Sequence, residues 1–360
     1  MTGTVMITTG GTGGHVFPGL AVAARLLARG WRVFWLGTRE GLEAKLVPEH
    51  GVEFEGIRFV GVRGKGLQRL LLGPFALLHA CRQSLSIIRR RAPDVVLGFG
   101  GFASFPGALM GVACGKPLVI HDANAVAGLA NRVLAYGADR ILQGFPGAFS
   151  GRHAAKAEWV GNPVREDITA LPSPEERYRT RSGALKLLVL GGSLGAVALN
   201  ECVPAALALL SASSRPIVTH QAGERHLDAL RAVYAARGVE AECVSFISDM
   251  AESYARSDLV LCRSGGLTVA ELAAAGVAAL LVPLPGAIAD EQTHNARFLV
   301  DAGAAVLVPQ AELSPERLAA FLGGCSRERL LEMAIAARRL GRTDAAERVA
   351  QACVTEAGRR

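Results

Sequence analysis

The chain has 360 residues, half of them hydrophobic and a fifth charged, which allows two ordinary domains and excludes a disordered chain. Lys and Arg number 39 against 32 Asp and Glu, a net charge of +7 that attracts anions in general and selects none of them. The seven scattered cysteines contain no C-x-x-C pair, which argues against a disulfide framework or a cysteine zinc site and fits a reduced, cytosolic protein.

The start, "MTGTVMITTGG", has no basic segment and no cleavage site, so no secretory signal is expected. From there short apolar runs alternate with helix-like segments, the pattern of parallel strands joined by crossover helices. In the first half the runs fall at 5–9, 32–37, 53–59, 94–100, 117–121 and 140–145. In the second half they fall at 185–192, 216–223, 241–247, 258–266, 278–284 and 304–309. Each half opens alike, with a strand, a glycine-rich turn and a helix: "GGTGGHVFPGLAVAARLLARG" and then "GGSLGAVALNECVPAALALL". The expected organisation is a first domain over 1–161, a linker over 162–184 and a second domain over 185–340. A C-terminal helix over 341–360 is expected to pack back toward the first domain. The uncharged run 272–289 has the length of a membrane span, but Gly276, Pro283 and Pro285 break it, so it reads as core. Membrane contact is then peripheral.

Three glycine-rich turns lie where strands end and helices begin, at 10–14, 191–195 and 264–266. Helix N-termini present unpaired N–H groups and the positive end of the dipole, and glycine lets backbone approach a phosphate closely. The dinucleotide fingerprint fails in both domains, since Val16 and Ser193 stand where glycines are required, and no G-x-x-x-x-G-K-[ST] occurs. In "CRSGGLTVAELAAAG" the glycines precede Thr268 and Glu271, a carboxylate one turn from a bound phosphate and placed for ribose hydroxyls. In "ADEQTHNA", Gln292 and Asn295 are polar groups suited either to sugar hydroxyls or to solvent.

Together these segments resemble one family, the bacterial glycosyltransferases that add N-acetylglucosamine to lipid-linked muramyl pentapeptide, converting lipid I to lipid II. The resemblance rests on "GGTGGHVFPGLAVA", "GVRGKG", "GFGGFAS", "IHDANAVAGLANR", "GNPVR", "GGSLGA", "DMAESYARSDLVLCRSGGLTVAELAAAG" and "DEQTHNA", and spans nearly the whole chain. It implies an α/β GT-B fold, two doubly wound Rossmann-like parallel-sheet domains facing across a cleft. UDP-N-acetylglucosamine would be held mainly by the second domain. The resemblance sets uracil against the backbone of Ile247 near Met250, and the diphosphate on Ser193 and the turn Gly266, Leu267 and Thr268, with Val269 and Ala270 also among the donor-binding residues. It sets ribose on Glu271 and sugar on Gln292, with Arg165 and Asn124 reaching the donor. Thr12, Gly13, Gly14 and His15 would line the side facing the acceptor and the reacting sugar, with Gly10 and Gly11 on the acceptor side. The chain departs from the family pattern at Asp122, Ala123, Phe102 and Glu291, which are therefore discounted as carriers of the chemistry.

The implied reaction displaces UDP by the 4-hydroxyl of the muramyl sugar with inversion, and it needs a base and stabilisation of the leaving diphosphate. There is no D-x-D motif, so helix N-termini and Arg165 are expected to carry that charge without a protein-bound metal or cofactor. His15 is the candidate base, or else it orders the turn or binds the acceptor's phosphate; His121 and His294 are weaker alternatives. Residues 61–91 combine Leu67, Leu70, Leu71, Leu72 and Phe75 with Arg63, Lys65, Arg69 and Arg89 to Arg91. Such a stretch suits an anionic membrane surface, where lipid I resides, with docking near 63–75 at the cytoplasmic face of the inner membrane. Other cell-wall synthesis proteins are further expected partners, and nucleic acid is not. The rival readings are a UDP-sugar 2-epimerase, a glycolipid synthase using diacylglycerol, and a non-catalytic nucleotide-sugar binding module.

Overall fold

The computed structural model describes residues 3–11, 13–59, 67–192 and 195–359, with backbone alone for 67–72 and 288. Two compact units result, Met1–Arg165 with Arg342–Arg360, and Glu166–Gly341. In the first, strands β1 (Thr4–Thr8), β2 (Arg32–Thr38), β3 (Glu53–Ile57) and β4 (Val95–Gly98) precede β5 (Leu118–Asp122), β6 (Arg140–Gln143) and β7 (Ala157–Trp159). Helices α1 (Gly13–Ala28), α2 (Glu43–Glu49), α3 (Leu67–Arg91), α4 (Ser104–Ala113) and α5 (Leu129–Leu134) form the crossovers. All pairings are parallel, in the order β3-β2-β1-β4-β5-β6-β7. Strands covered on both faces read as continuous apolar runs, and β1 is accordingly buried at all five positions. β7 is missing from the expected strands, because three half-buried residues leave no apolar run to detect.

The second unit begins with two short helices, α6 (Glu166–Thr169) and α7 (Pro174–Tyr178), inside the stretch expected to be linker. Ser173 caps α7 by accepting from Glu176 N at 3.2 Å while Glu176 reaches back to Ser173 N at 3.0 Å, a capping box spelled out in "SPEE". The sheet follows as β8 (Lys186–Leu190), β9 (Ile217–Gln221), β10 (Glu242–Val244), β11 (Leu259–Cys262), β12 (Ala278–Leu281) and β13 (Ala305–Leu307). Its helices are α8 (Val197–Leu209), α9 (Leu227–Ala236), α10 (Met250–Arg256), α11 (Gly266–Ala275), α12 (Glu291–Val300), α13 (Pro315–Gly323) and α14 (Arg327–Leu340). The order is β10-β9-β8-β11-β12-β13, again all parallel. The uncharged run 272–289 resolves into the end of α11, a left-handed Gly276 (φ +64°), β12 and a turn. No helix among the described residues is long and apolar enough to cross a membrane.

The last helix, α15 (Ala345–Ala357), belongs to the first unit. Val349, Ala350 and Cys353 are buried in the same core as Val5, Ile7 and Leu97. Glu356 receives Arg140 Nε at 3.1 Å, and Arg29 reaches Glu347.

Each unit also holds one wholly buried histidine. His121 donates from Nε2 to the Gly161 carbonyl at 2.9 Å, and His220 lies between Tyr234 Oη (2.9 Å) and Asn200 Oδ1 (3.1 Å). Burial pushes both imidazoles down to about 4. The unfolded chain therefore takes up these protons first as pH falls, so stability present above pH 6.5 is lost between 6.5 and about 4. Each histidine is expected to remove on the order of 2 kcal/mol of its unit's stability by pH 5. Urea midpoints that match at pH 7.5 and pH 5 would contradict this.

Candidate active site

In each sheet the strand order reverses once, between β1 and β4 and between β8 and β11, and ligands of open α/β sheets bind at the carboxyl ends of strands at such a point. In the first unit the two loops there are 9–14 and 99–103. The Thr9 carbonyl accepts from Trp35 Nε1 at 3.1 Å, Thr9 Oγ1 donates to the Gly100 carbonyl at 3.3 Å, and Gly11 N donates to Glu43 Oε2 at 3.2 Å. Gly11 sits at φ +110°, which suits glycine. Thr12 lies outside the described residues. Gly13, Gly14 and His15 form the first turn of α1. Two expectations change here. A Cβ at Gly10 would collide with the Glu43 carboxylate, so that glycine makes room for a buried side chain. The Gly11 N–H is likewise committed to Glu43 and is not offered to a ligand.

His15 is half-buried, with Nδ1 3.1 Å from the Phe99 carbonyl. A carbonyl can only accept, so Nδ1 carries the proton and Nε2 keeps its lone pair. Burial lowers the imidazole below its ordinary 6.5, opposed by the charge of Asp122 and by the Phe99 bond. His121 loses its place as an alternative base, being fully buried, bonded to Gly161 and packed 5.2 Å from the Phe99 ring. His294 is exposed on α12, its Nδ1 3.0 Å from the Asp290 carbonyl.

Asp122 accepts from Asn124 N (3.1 Å), Gly128 N (2.9 Å) and Asn131 Nδ2 (3.1 Å), and so shapes the loop that carries the half-buried Asn124. Ala123 is buried, its carbonyl accepting from Asn162. Phe102 is partly exposed, 5.8 Å from Phe59. The Arg165 guanidinium stacks 5.6 Å from the Phe17 ring of α1, which places this residue in the first unit. On α3, Phe75 is 71% and Leu78 59% exposed. Arg69 and Leu71 are placed on α3 by backbone alone, and Arg63 and Lys65 lie outside the described residues.

In the second unit Gly191, Gly192, Gly195 and the start of α8 line an open cavity of about 640 Å³, with Arg263, Glu201 and Gln310. Ser193, between these glycines, is outside the described residues. Gly195, at φ +77°, lies where a Cβ would strike the Ala222 carbonyl, so β9 and this turn touch through backbone. Arg263 is the cation that sequence reasoning passed over, although it stands in the quoted "CRSGG". Its guanidinium reaches the Val282 and Pro283 carbonyls at 3.0 and 3.2 Å and Gln310 Oε1 at 2.6 Å.

The start of α11 is extended at Gly265, and the first helical bond runs from Val269 N to the Gly265 carbonyl at 3.0 Å. Gly266, Leu267 and Thr268 precede that bond, at the positive end of the helix. At the other end Arg177 Nη2 holds the Ala275 and Gly276 carbonyls at 2.6 and 2.5 Å, and Arg338 holds that of Ala274. Val269 is withdrawn from the donor-binding set, because its side chain is fully buried and its N–H is bonded within the helix. Ala270 is half-buried on the next position. Glu271 Oε2 accepts from the Tyr254 hydroxyl at 3.1 Å, which orients the carboxylate. Gln292 Oε1 accepts from Leu284 N at 3.0 Å. Asn295 cannot read a sugar, since it is wholly buried and donates to the Ser264 carbonyl at 3.1 Å. Ile247 lies in the loop beyond β10, which ends at Val244, so its backbone is outside the sheet. No group of three or more His, Cys, Asp or Glu among the described residues is placed to hold a metal ion.

Two parallel-sheet units, each with a glycine-rich turn at its switch point, constitute a GT-B glycosyltransferase fold. Residues 5–143 match the glycosyltransferase family 28 N-terminal domain and residues 186–349 its C-terminal domain. A Ralstonia nicotianae protein named UDP-N-acetylglucosamine–N-acetylmuramyl-(pentapeptide) pyrophosphoryl-undecaprenol N-acetylglucosamine transferase is 57% identical over 357 residues, 98% of this chain and 96% of its own. A Dechloromonas aromatica protein of the same name is 56% identical over 98% of this chain and 99% of its own. The crystal structure of Acinetobacter baumannii MurG superposes with a TM-score of 0.84 at 38% identity, covering 98% of this chain and 99% of that one. The chain belongs to glycosyltransferase family 28 and, within it, to the family of these N-acetylglucosamine transferases.

Proposed function

We infer that this protein transfers N-acetylglucosamine from UDP-N-acetylglucosamine to the 4-hydroxyl of the muramyl sugar of undecaprenyl-diphospho-muramyl-pentapeptide, turning lipid I into lipid II. The observation that carries this reading is coverage: the likeness to the named transferases spans 98% of this chain, and both domain models of the family match it. The epimerase and diacylglycerol readings are not favoured by relatives of that identity.

In this reading the second unit holds the donor, with diphosphate on Gly266, Leu267 and Thr268 at the head of α11 and ribose on Glu271. Arg263 adds positive charge beside the turn at 191–195. His15 takes the proton of the attacking hydroxyl through Nε2, and Arg165 serves the leaving diphosphate. We assign no metal to the reaction, on the strength of a sequence without D-x-D; a tight stoichiometric metal site on the purified protein would overturn that. The membrane assignment rests on Phe75 and Leu78, two exposed apolar side chains on α3 of a basic protein, and sets docking at the cytoplasmic face of the inner membrane.

The test is UDP release by the purified protein with UDP-N-acetylglucosamine and either a lipid I analogue or diacylglycerol, presented in anionic or neutral vesicles. Release with the lipid I analogue alone, and faster on anionic vesicles at low salt, is the expected result. Release with diacylglycerol instead would overturn the acceptor, and equal rates on both vesicles would overturn the docking.

A further inference from the structure

We propose that Glu43 is a positioning residue for the glycine-rich turn of the first unit, and through it for the acceptor half of the reaction; this rests on the function inferred above. A glutamate in the first turn of a helix is ordinarily a solvated group that complements the dipole. Glu43, at the start of α2, is instead completely buried. Its Oε1 accepts from Thr38 N at 2.8 Å and Thr38 Oγ1 at 2.6 Å, and its Oε2 from Gly11 N at 3.2 Å.

The surroundings are shaped to admit this carboxylate. A Cβ at Gly37 would stand 2.6 Å from Glu43 Cγ, and a Cβ at Gly10 or Gly41 would collide with the carboxylate itself. Three glycines, Gly10 in the turn, Gly37 in β2 and Gly41 just beyond it, thus leave space for one side chain. Burying a carboxylate is costly unless its lone pairs are filled, and here they are filled by backbone and hydroxyl donors of the β2 end and the turn. The anchor therefore ties the 10–11 peptide to the end of β2.

The same peptide approaches the base through Gly101. The Gly10 carbonyl lies where a Cβ on Gly101 would come within 2.9 Å, and that Cβ would be 3.7 Å from His15 Cδ2. Gly10, Gly101 and the His15 ring are packed in series. Release of Gly11 from Glu43 lets this stack shift and leaves the Gly11 amide without that acceptor. A misplacement of about 1 Å beside a reacting group is enough to cost ~100-fold in rate.

Glu43→Gln keeps the volume, and its one oxygen satisfies the two Thr38 donors only when the NH2 group faces Gly11 N–H, so the Gly11 anchor is lost. Thr38→Val is the comparison, because it removes a bond to Glu43 while leaving the carboxylate on Gly11. Steady-state UDP release is measured on full-length wild type and both variants with each substrate varied, beside calorimetric binding of UDP-N-acetylglucosamine. The expected result is a loss of about 10- to 100-fold in kcat/KM for the lipid I analogue in Glu43→Gln, with donor affinity held within about threefold. Thr38→Val is expected to stay near wild type in both. Glu43→Gln with a wild-type acceptor kcat/KM overturns the proposal. So does a loss shared equally by donor and acceptor and reproduced by Thr38→Val, which marks a merely structural role. A wild-type protein that binds donor yet releases no UDP overturns the functional reading, and this inference falls with it.

Discussion

Replacing His15 with alanine is expected to lower kcat by about 100- to 10,000-fold while changing donor KM little. The expectation follows from the tautomer. The Phe99 carbonyl accepts a hydrogen bond from Nδ1–H, so Nε2 is left as an acceptor, the form a general base requires. Burial strengthens the case, because it lowers the imidazole below 6.5 and keeps it neutral at working pH. A histidine recruited to hold an acceptor phosphate would need the charged form, which this environment disfavours. The wild-type rate is accordingly expected to be flat above about pH 6.5 and to fall only below it as His15 gains its second proton. Measured kcat and acceptor KM for His15→Ala separate the readings. A normal kcat with a strongly raised acceptor KM would assign phosphate binding, and normal values of both would remove His15 from the reaction.

What the sequence makes legible is whatever depends on local period and local turn chemistry. Apolar runs mark twelve of the thirteen strands among the described residues; β7, with half-buried Ala157, Glu158 and Trp159, has no such run. The glycine-rich turns mark both switch points because each lies within a few residues of its strand. Side-chain direction is harder to read. Val269 and Asn295 sit in the right motifs yet point inward, since helix phase relative to the sheet is decided by packing. His121 is the same case on a strand. Glu43 shows the limit most clearly, since its partner Gly11 is 32 residues away and its burial depends on glycines at 10, 37 and 41. Those glycines are visible in the sequence, but the carboxylate that fills their space is not.

Glu271→Ala is expected to raise KM for UDP-N-acetylglucosamine by about 10- to 100-fold with kcat little changed. A ribose diol lies far from the bond that breaks, so contact with it stabilises ground and transition states alike. The loss of one hydrogen bond from a neutral hydroxyl to a carboxylate, about 1.5–3 kcal/mol, sets that range. The carboxylate does not hold itself in place: Tyr254, fully buried on α10, donates to Glu271 Oε2 at 3.1 Å. Tyr254→Phe removes that donor and keeps the ring in the core, so it is expected to raise donor KM only about threefold to tenfold. Glu271→Gln is expected to fall between the two, since an amide retains one acceptor and loses the charge. The three variants thus form an ordered series in donor KM at nearly constant kcat. If Glu271→Ala instead lowered kcat with donor KM unchanged, the carboxylate would act on the reacting sugar and the ribose assignment would be lost. If Tyr254→Phe equalled Glu271→Ala, the hydroxyl would be the ligand's own contact, and the tyrosine would belong to the donor site.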